Sequence, residues 1–442
     1  MIKLPEQVNK AICLLKNSGF EAYAVGGAVR DCLLGKVPFD WDITTSARPE
    51  ETEKVFCGER IIETGIKHGT VTVIIDDMPL EITTYRIDGD YTDHRHPQTV
   101  SFSDNLRDDL SRRDFTINTL CCNCDDKIID VFGGKDDLNN KIIRCVGDPD
   151  TRFSEDALRI MRAVRFSAEL GFKIEKSTSD SILKNRQLLS DVSKERLQVE
   201  FTKLITGKYA TDVIRKYHAV IEVFIPELAP LAECEQHTKY HKYDVLEHTL
   251  HAVDAIDFND RILRLTMFFH DFGKPDAKTT DENGTSHFKG HAVISEKRTR
   301  DILKRLKFDN NTINEVSKLV LIHDMKSPRD KIQAKKMMCS LGDEAYLNLI
   351  KIKRADNMAK ADPHAIDEKL KNMLSFYEEI KASNECYNLK SLAINGDDIK
   401  AFGIAEGKEI KSSLDFLLNG VIEGKCQNRK DELLEYLKEN TK

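Results

Sequence analysis

The sequence predicts an α+β chain, with a mixed segment of strands and helices first and helices alone after it. Three observations carry this prediction. Residues 23–45 combine a short apolar strand, a glycine pair, a helix over 28–34 ended by Gly35, and a second strand. Residues 70–75 and 80–85 are strand-like runs around an Asp-Asp-Met-Pro turn. From Arg152 onward the apolar spacing is that of helices.

Length and composition indicate a multidomain globular protein. At 442 residues the chain exceeds one ordinary core, so two to four domains are expected. Charged residues make up 32% and apolar residues 40%, which is typical of a soluble protein. The net charge of −7 predicts that any nucleic-acid surface is local.

The N-terminus and the cysteines predict a cytoplasmic protein. No apolar run approaches the roughly 18 residues of a membrane span. Leu4, Val8, Ile12 and Leu15 have the spacing of an amphipathic helix and not of a signal peptide. Cys121 and Cys124 have C-x-x-C spacing, but no second cysteine pair is present to complete a zinc site, which favours reduced thiols over a zinc site or disulfides.

The segment from Tyr23 to Thr45 indicates phosphate chemistry. Gly26 and Gly27, at a strand-to-helix turn, let the backbone approach a ligand. Asp40 and Asp42 lie two apart in the expected second strand, hence on one face, roughly 6.6–6.8 Å apart along it. Such a carboxylate pair can hold divalent ions that align a hydroxyl with an α-phosphate. Taken singly, a glycine pair is usually just a turn and an Asp-x-Asp pattern is more often a solvated strand edge, but the two together and in this order indicate a nucleotidyltransferase.

Further candidates follow along the chain. Glu81, in the strand-like run 80–85, is a candidate third carboxylate or a surface residue. Residues 87–105 lack periodicity and predict a mobile loop. In the motif at 109–118, Arg112 and Arg113 can clamp a triphosphate and Asp114 can fix one guanidinium, with Asn118 as a sugar or phosphate contact. The alternative is a salt-bridged helix start.

A second polar group begins near residue 152. Ser154 to Arg159 has the pattern of a capped helix start, which would make Asp156 and Arg159 neighbours on one helix face. Four arginines crowd this segment: Arg152, Arg159, Arg162 and Arg165. An ordinary surface ion pair is the alternative. The motif from Lys194 to Glu200 opens another helix that can brace this one.

Histidines dominate the segment from 237 to 323, which holds eight of the thirteen. Imidazoles mixed with carboxylates on helices suit a transition metal such as Mn, Ni, Co or Fe, and can activate a water for phosphoester hydrolysis. Single histidines are ordinarily core residues, but the adjacent His270-Asp271 in an apolar helix favours a site. The candidate ligands are His248, His270, Asp271 and Asp356, with His291 and His323 as further candidates.

Four motifs together resemble one family. They are 26–31 with 40–45, 112–118, 155–159 and 195–200. In order and spacing they are similar to class II tRNA nucleotidyltransferases (CCA-adding enzymes) and the related bacterial poly(A) polymerases, over about residues 20–230. Residues 237–360 resemble a metal-dependent HD phosphohydrolase domain. Asn118-Thr-Leu departs slightly from the family's Asn-Ala.

The resemblance implies a fold and a domain plan. The fold is a polymerase-β-like nucleotidyltransferase head followed by an all-helical neck, body, HD domain and tail. The boundaries are 1–145 for the head, 146–235 for the neck and body, 236–362 for the HD domain and 363–442 for the helical tail. The implied partners are the tRNA 3′ end, CTP and ATP, and the oligomeric state stays open.

The resemblance also implies site roles. Asp40 and Asp42 would bind Mg²⁺, with Glu81 as the third catalytic carboxylate. The nucleotide-binding set would be Gly26, Gly27, Arg30, Arg112, Arg113, Asp114, Asn118, Asp156, Arg159, Arg162 and Arg165. In this set, Asp156 and Arg159 would read the base.

The hydrogen-bonding groups of Asp156 and Arg159 also predict which bases this pair would select. An acceptor beside a donor fork matches cytosine (N4 amino, N3 and O2) and adenine (N6 amino, N1). Uracil O4 and guanine O6 would instead face the carboxylate, with two acceptors opposed. The order C, C, A needs the growing RNA end and a movable element, for which the loop 87–105 is the candidate.

Three interpretations follow. The first is a CCA-adding polymerase with an attached phosphohydrolase. The second is a sibling that adds only A or makes poly(A) tails, although this acidic chain shows no basic extension. The third is a metal phosphohydrolase whose N-terminal half only holds RNA, against which the intact Asp40 and Asp42 argue.

Overall fold

The computed structural model describes residues 2–440 apart from 64, 67–68, 90–99, 239, 241 and 405–406. The chain divides into two compact units. Unit 1 is Met1–Ala229 with Arg305–Lys307, and unit 2 is Pro230–Lys304 with Phe308–Lys442. Strands cluster early and helices follow, so the predicted α+β class is confirmed. The finer boundaries at 145, 235 and 362 stay predictions.

Unit 1 contains most of the strands. They are β1 (Ala22–Val25), β2 (Asp42–Thr45), β3 (Arg60–Ile62), β4 (Thr70–Ile75), β5 (Met78–Thr84), β6 (Arg86–Asp88), β7 (Val100–Phe102), β8 (Cys121–Cys122), β9 (Ile128–Ile129), β10 (Ile142–Ile143) and β11 (Lys173–Ile174). Seven form one sheet in the order β3-β4-β5-β2-β1-β8-β9. β2 and β5 run parallel, and their register pairs Asp42 with Glu81.

Ten helices of unit 1 surround the sheet or follow it. They are α1 (Glu6–Asn17), α2 (Gly27–Leu33), α3 (Pro49–Val55), α4 (Leu106–Ser111), α5 (Gly134–Asn139), α6 (Pro149–Glu155), α7 (Leu158–Leu170), α8 (Lys176–Asn185), α9 (Lys194–Ile205) and α10 (Ala210–Ile221). Val8, Ile12 and Leu15 of α1 are buried, as their spacing predicts. In the helical second half of unit 1, the core lies where α7 packs on α9 and α10.

In the residues that the structure describes, unit 2 is helical apart from one hairpin, β12 (Thr279–Thr280) with β13 (Ser286–His287). Its helices are α12 (Val245–Asp254), α13 (Arg261–Phe269), α14 (Lys274–Ala277), α15 (His291–Arg305), α16 (Asn310–Ile322), α17 (Lys331–Leu341), α18 (Asp343–Met358), α19 (Asp367–Ala382), α20 (Gly396–Ala401), α21 (Lys408–Ile422) and α22 (Lys430–Asn440). The four-residue helix α11 (Ala229–Ala232) spans the boundary between the two units along the chain. α12, α13, α16 and α18 pack on one another.

Three local predictions need correction. Asp40 precedes β2, which begins at Asp42, so the pair does not share a strand. Ser154 to Arg159 is not one helix start, because α6 ends at Glu155 and Asp156 is extended (φ −134°, ψ 100°) before α7. The loop predicted over 87–105 carries β6 and β7 at its ends; residues 90–99, its central part, lie outside the described residues.

Candidate active site and metal centre

The glycine turn brings the backbone against two side chains of the candidate site. Gly26 follows β1 with φ +84°, a conformation that glycine adopts without strain. A Cβ at this position would lie 3.1 Å from Arg113 Nη1 and 3.8 Å from Asp42 Oδ2. The turn, Arg113 and Asp42 therefore border one small region at the end of the sheet.

Three carboxylates gather at this end of the sheet. Asp42 begins β2 and faces solvent, and Glu81 is its register partner in β5. The surrounding protein desolvates the Asp42 carboxylate in part, although the residue itself is exposed to solvent. This burial raises the pKa of Asp42 to about 6, helped by the charges of Glu81 and Asp40 and opposed by Arg113. Crowded carboxylates of this kind are stabilised by a cation.

The donor set fits magnesium. Within the described residues, Asp40, Asp42 and Glu81 do not bring ligand oxygens within 4.8 Å of one another as a group. Mg²⁺ commonly takes one or two carboxylates and completes its octahedron with water and substrate phosphates. An open carboxylate set beside Arg113 suits that mode of binding.

Asp109 holds both arginines of the motif, and sequence reasoning missed it. The Arg112 guanidinium donates to Asp109 Oδ1 at 2.9 and 2.6 Å, and Arg113 Nη2 lies 3.6 Å from Asp109 Oδ2. Thr44 of β2 donates to the same carboxylate at 2.9 Å. Burial would raise the pKa of Asp109, but the two arginines lower it. The predicted partner, Asp114, is engaged elsewhere.

A buried chain of polar contacts runs from α2 to α7. Arg30 Nη1 donates to Asn118 Oδ1 at 2.8 Å, and Asn118 Nδ2 donates to Asp114 Oδ1 at 3.0 Å. Arg162 then lies 2.6 Å from Asp114 Oδ2. Arg30, with 7% exposure, is turned inward and also donates to Asp31. Arg30 and Asn118 therefore support the site from within.

The predicted pair Asp156 and Arg159 have different direct partners. Asp156 lies between α6 and α7, where Arg196 of α9 donates to its carboxylate at 2.9 and 3.2 Å. Arg159 donates to Glu155 Oε2 at 2.8 Å and to the Arg112 carbonyl at 2.7 Å. The helix break therefore replaces the expected Asp156–Arg159 ion pair. Arg196 belongs to the noted motif 194–200, but its long-range partner was not apparent from sequence.

Arg165 braces α7 against α9. Its Nε lies 2.7 Å from Glu200 Oε2, and its Nη1 donates to Glu169 at 2.8 Å. The guanidinium also stacks 3.8 Å from the centre of the Phe166 ring. Arg165 is buried among these partners, so its observed role is to join the two helices, as the motif at 194–200 predicts.

In unit 2, six predicted residues meet around one carboxylate. His270 Nε2 lies 3.1 Å and His248 Nε2 3.4 Å from Asp271 Oδ2. On the other oxygen, His291 Nε2 lies 3.3 Å and His323 Nε2 3.7 Å from Oδ1. Asp356 joins through His248 at 3.0 Å. Two overlapping groups, His248-His270-Asp271 and Asp271-His291-His323, have ligand atoms close enough to hold a metal ion.

The tautomers of these histidines favour a cation. His270, His291 and His323 each place Nδ1 2.6–2.8 Å from a backbone carbonyl, which only accepts, so Nδ1 carries the proton. Each neutral ring then presents a lone pair at Nε2. The Nε2 atoms of His291 and His323 face each other at 3.1 Å, and those of His248 and His270 at 3.4 Å. Facing lone pairs need a shared proton or a cation between them, and carbonyl-anchored imidazoles are typical of metal ligands.

Electrostatics around Asp271 are consistent with that interpretation. Burial opposes the ionisation of Asp271, yet the neighbouring Lys274 ammonium holds the pKa of this carboxyl well below its usual value. Burial lowers the pKa of His248 and lowers that of His323 to about 3, which keeps both rings neutral, as metal ligation requires. The Asp271 contact raises the pKa of His291 against the effect of burial. Two lysines missed by sequence reasoning complete the group: Lys274 lies 2.6 Å from Asp271 and Lys360 2.6 Å from Asp356.

Comparison with protein families gives three matches. Residues 22–144 match the "Poly A polymerase head domain", and residues 171–231 match the "Probable RNA and SrmB-binding site of polymerase A". Residues 279–437 match a second domain of tRNA nucleotidyltransferases. The first match contains the glycine turn, the three carboxylates and the two arginines.

Individual relatives extend over the whole chain. The chain is 34% identical to a CCA-adding enzyme of Bacillus velezensis over 96% of this chain and 95% of that protein. It is 50% identical to a CCA-adding enzyme of Lactobacillus helveticus over 47% of this chain. A crystal structure of the Bacillus stearothermophilus CCA-adding enzyme in complex with CTP superposes with a TM-score of 0.72 at 30% identity, covering 98% of this chain and 96% of that one.

The fold and these matches define a nucleotidyltransferase. More particularly, the chain belongs to the family of CCA-adding enzymes. A Thermotoga maritima CCA-adding enzyme complexed with tRNA shares the fold, with a TM-score of 0.64 at 22% identity. Among the residues described, no helix has the length and apolar character needed to cross a membrane.

Proposed function

We propose that this protein adds C, C and A to the 3′ end of tRNA from CTP and ATP. The observation that carries the proposal is the grouping of Asp42, its register partner Glu81 and Arg113 at the glycine turn. In this assignment 1–145 is the catalytic head and 146–235 selects the nucleotide and binds RNA. The relatives that share the family are CCA-adding enzymes, one of them solved in complex with CTP, which supports this activity.

Each part of the site has a distinct task in this proposal. Asp40 and Asp42, with Glu81 beside them, hold Mg²⁺, which supplies charge neutralisation and alignment for attack of the RNA 3′ hydroxyl on the α-phosphate. Arg112 and Arg113, fixed by Asp109, hold the triphosphate. Pyrophosphate leaves as the new phosphodiester forms.

Asp156 and Arg159 select the base. The Arg196 contact orients the Asp156 carboxylate from one side. Arg159 is anchored at Glu155 and the Arg112 carbonyl, which ties base selection to the triphosphate arginines. The Asp156 carboxylate accepts a hydrogen bond from the amino group that cytosine and adenine share. Uracil and guanine place a carbonyl at that position instead. Gly26, Gly27 and Arg162 complete the proposed nucleotide site, and the buried Arg30, Asp114, Asn118 and Arg165 support it from within.

One assay tests the activity and its alternatives. Purified protein is given tRNA transcripts that end before CCA, after CC or after CCA, with each labelled NTP in turn. We expect C on the first transcript and a single A on the second. Addition of A alone identifies an A-adding enzyme, and repeated A addition identifies a poly(A) polymerase. Absence of any incorporation with Mg²⁺ would refute the proposal and leave a phosphohydrolase with an RNA-binding N-terminal half.

A different observation favours a second activity, metal-dependent phosphoester hydrolysis within 236–362. It is the set of paired, carbonyl-anchored imidazoles around Asp271. His248, His270, Asp271 and Asp356 would hold one transition metal ion such as Mn, Ni, Co or Fe, and His291 and His323 would hold a second with Asp271. Such an ion supplies an acidified water and neutralises phosphate charge. Lys274 and Lys360 fix the carboxylates from behind.

Metal content and hydrolysis test this second activity together. Protein reloaded with Mn²⁺, Co²⁺ or Ni²⁺ is expected to retain metal after gel filtration and to hydrolyse p-nitrophenyl phosphate. His270→Ala is expected to retain less metal, because it lacks a ligand of the first metal position, and to lose hydrolysis. Retention of the same metal content by His270→Ala would contradict the assignment, whatever the hydrolytic rate.

A further inference from the structure

A cavity of about 450 Å³ opens beside the histidine cluster. It lies between the C-terminal end of α16, the segment 324–329, α18 and α19. His323 and Asp356 both line it, and they are ligands of the two different proposed metal positions. Any molecule in the cavity therefore lies against both halves of the centre.

The cavity is strongly cationic. The described residues of its lining include five cations, Lys326, Arg329, Lys353, Lys360 and Lys369, and two carboxylates, Asp324 and Asp356. Lys360 is paired with Asp356. In the described part of the chain the other four cations form no ion pair within 4 Å, whereas nearby lysines of α17 and α19 do, such as Lys335 with Glu385 and Lys381 with Asp343. Converging cations without carboxylate partners indicate an anionic ligand.

The remaining lining residues favour an anionic group over an aromatic ring as the ligand. Met325, Pro328 and Ile366 are its apolar members, and among the described residues that line it there is no Phe, Tyr or Trp on which a nucleobase could stack. Lys353 is half-buried in the lining, and an anion is bound more strongly in such partly desolvated surroundings than in open water. A phosphate group is anionic and needs no aromatic ring to stack on, so it suits this lining.

We propose that this cavity binds a second phosphate of the hydrolase substrate, so that the domain prefers phosphoesters carrying more than one phosphate. This inference rests on the proposed hydrolase function. One phosphate lies at the metal ligands, where water adds to phosphorus, the P–O bond to the alcohol breaks and the alcohol oxygen takes the proton. The second phosphate, which is not cleaved, lies among Lys326, Arg329 and Lys369. A free nucleotide with two phosphates and an RNA end with a terminal phosphate share this chemistry.

Local amine labelling tests the cavity without requiring turnover. Full-length protein is acetylated at low reagent concentration with and without adenosine 3′,5′-bisphosphate, and each lysine is quantified by peptide mass spectrometry. Labelling of Lys326 and Lys369 is expected to fall by about threefold or more, since a bound phosphate covers both amines. Lys371 lies on the same helix, is exposed and is outside the cavity, so its labelling should not change. Unchanged labelling at Lys369 would overturn the inference.

Kinetics then test preference and separate the two proposals. Lys369→Glu is expected to raise KM for adenosine 3′,5′-bisphosphate, or for a short RNA with a 3′-terminal phosphate, by about three- to tenfold relative to KM for p-nitrophenyl phosphate. The substrate showing the larger change identifies the source. Lys371→Glu is the matched control and should shift neither KM. Equal shifts for one-phosphate and two-phosphate substrates would refute the cavity role. If the wild type hydrolyses none of these esters with any metal, the hydrolase proposal fails, and the labelling result still decides whether the cavity binds phosphate.

Discussion

Asp42 combines a functional requirement with a cost to the fold. Its carboxylate is desolvated and faces Glu81 and Asp40, so its charge destabilises the folded protein when no cation is bound. Residues of this kind persist because function needs them. The same charge is what attracts the metal that nucleotidyl transfer requires.

Asp42→Asn is expected to abolish nucleotide addition while keeping or raising the thermal stability of the metal-free protein. The loss of rate should be about 10³-fold or more, because positioning and metal charge dominate phosphoryl transfer. The amide is isosteric and relieves the repulsion among the carboxylates. Incorporation of labelled CTP and Tm in EDTA are the two measurements. Incorporation near the wild-type rate would exclude Asp42 as a metal ligand.

The pH dependence of Tm gives a second check on the same residue. The pKa of Asp42 is raised to about 6 in the folded protein, so this group stabilises the fold only while protonated. Its stabilisation is present below the unfolded pKa and is lost as pH rises through about 6. The Tm of the metal-free wild type should therefore fall relative to that of Asp42→Asn between pH 4 and 7. A constant difference over this range of pH would show that the carboxylate is not perturbed.

Asp156→Ala is expected to reduce discrimination against UTP and GTP. A good bidentate base contact contributes roughly 1–3 kcal/mol of discrimination, about 5- to 150-fold. The change should appear in the ratio of kcat/KM for CTP over UTP. Arg196→Ala should act in the same direction, because Arg196 holds this carboxylate. Asp150→Ala, which removes a nearby carboxylate paired with Lys184, is the control. Unchanged nucleotide ratios in Asp156→Ala would refute base selection by this residue.

At the scale of the element, α4 connects the sheet to the triphosphate arginines. Asp109 is fully buried in it and binds Arg112, Arg113 and Thr44 of β2. Removing one member of a buried charged group leaves the others uncompensated. The helix is only six residues long, so this network and not helix propensity fixes its position.

Asp109→Asn is expected to lower the free energy of unfolding by about 3 kcal/mol and to raise KM for CTP. The pKa of Asp109 is lowered in the fold, so its contribution is present at neutral pH and is lost as pH falls through the folded pKa, below 3.8. The stability difference from wild type should therefore shrink in acid. Asp108→Asn, at the adjacent and partly exposed position, is the control for denaturant unfolding and CTP kinetics. Equal KM values in the two variants would show that Asp109 does not hold the arginines for the nucleotide.

Local patterns could be predicted from the sequence, and long-range partners could not. Alternation predicted β4, and the spacing of Val8, Ile12 and Leu15 predicted α1, because both are properties of a few consecutive residues. Asp156, at the break between α6 and α7, is bound by Arg196, which is forty residues away and shows no local signal. Asp109 stands in a polar string that resembles surface, and only the fold shows that it is buried.

At the scale of the whole molecule, the two sets of chemical groups lie in different compact units. The carboxylates and arginines of nucleotide addition belong to unit 1, and the histidine cluster belongs to unit 2. The sequence predicted the members of the histidine cluster well, because His and Asp are rarely buried together without a ligand or partner. Separate locations in the chain predict separable activities.

His270→Ala is expected to remove metal-dependent hydrolysis of p-nitrophenyl phosphate while leaving CTP and ATP incorporation within about twofold of wild type. Asp42→Asn should show the reverse, because neither residue contributes to the other unit's set of groups. His270 is buried at the centre of its cluster, so its loss can unfold unit 2. Asp271→Asn, which keeps the side-chain volume and removes one negative charge, is therefore measured beside it with circular dichroism as the check on folding. Loss of CCA addition in a folded variant of either residue would show that the two activities are coupled, and hydrolysis that survives in both variants would place its metal elsewhere.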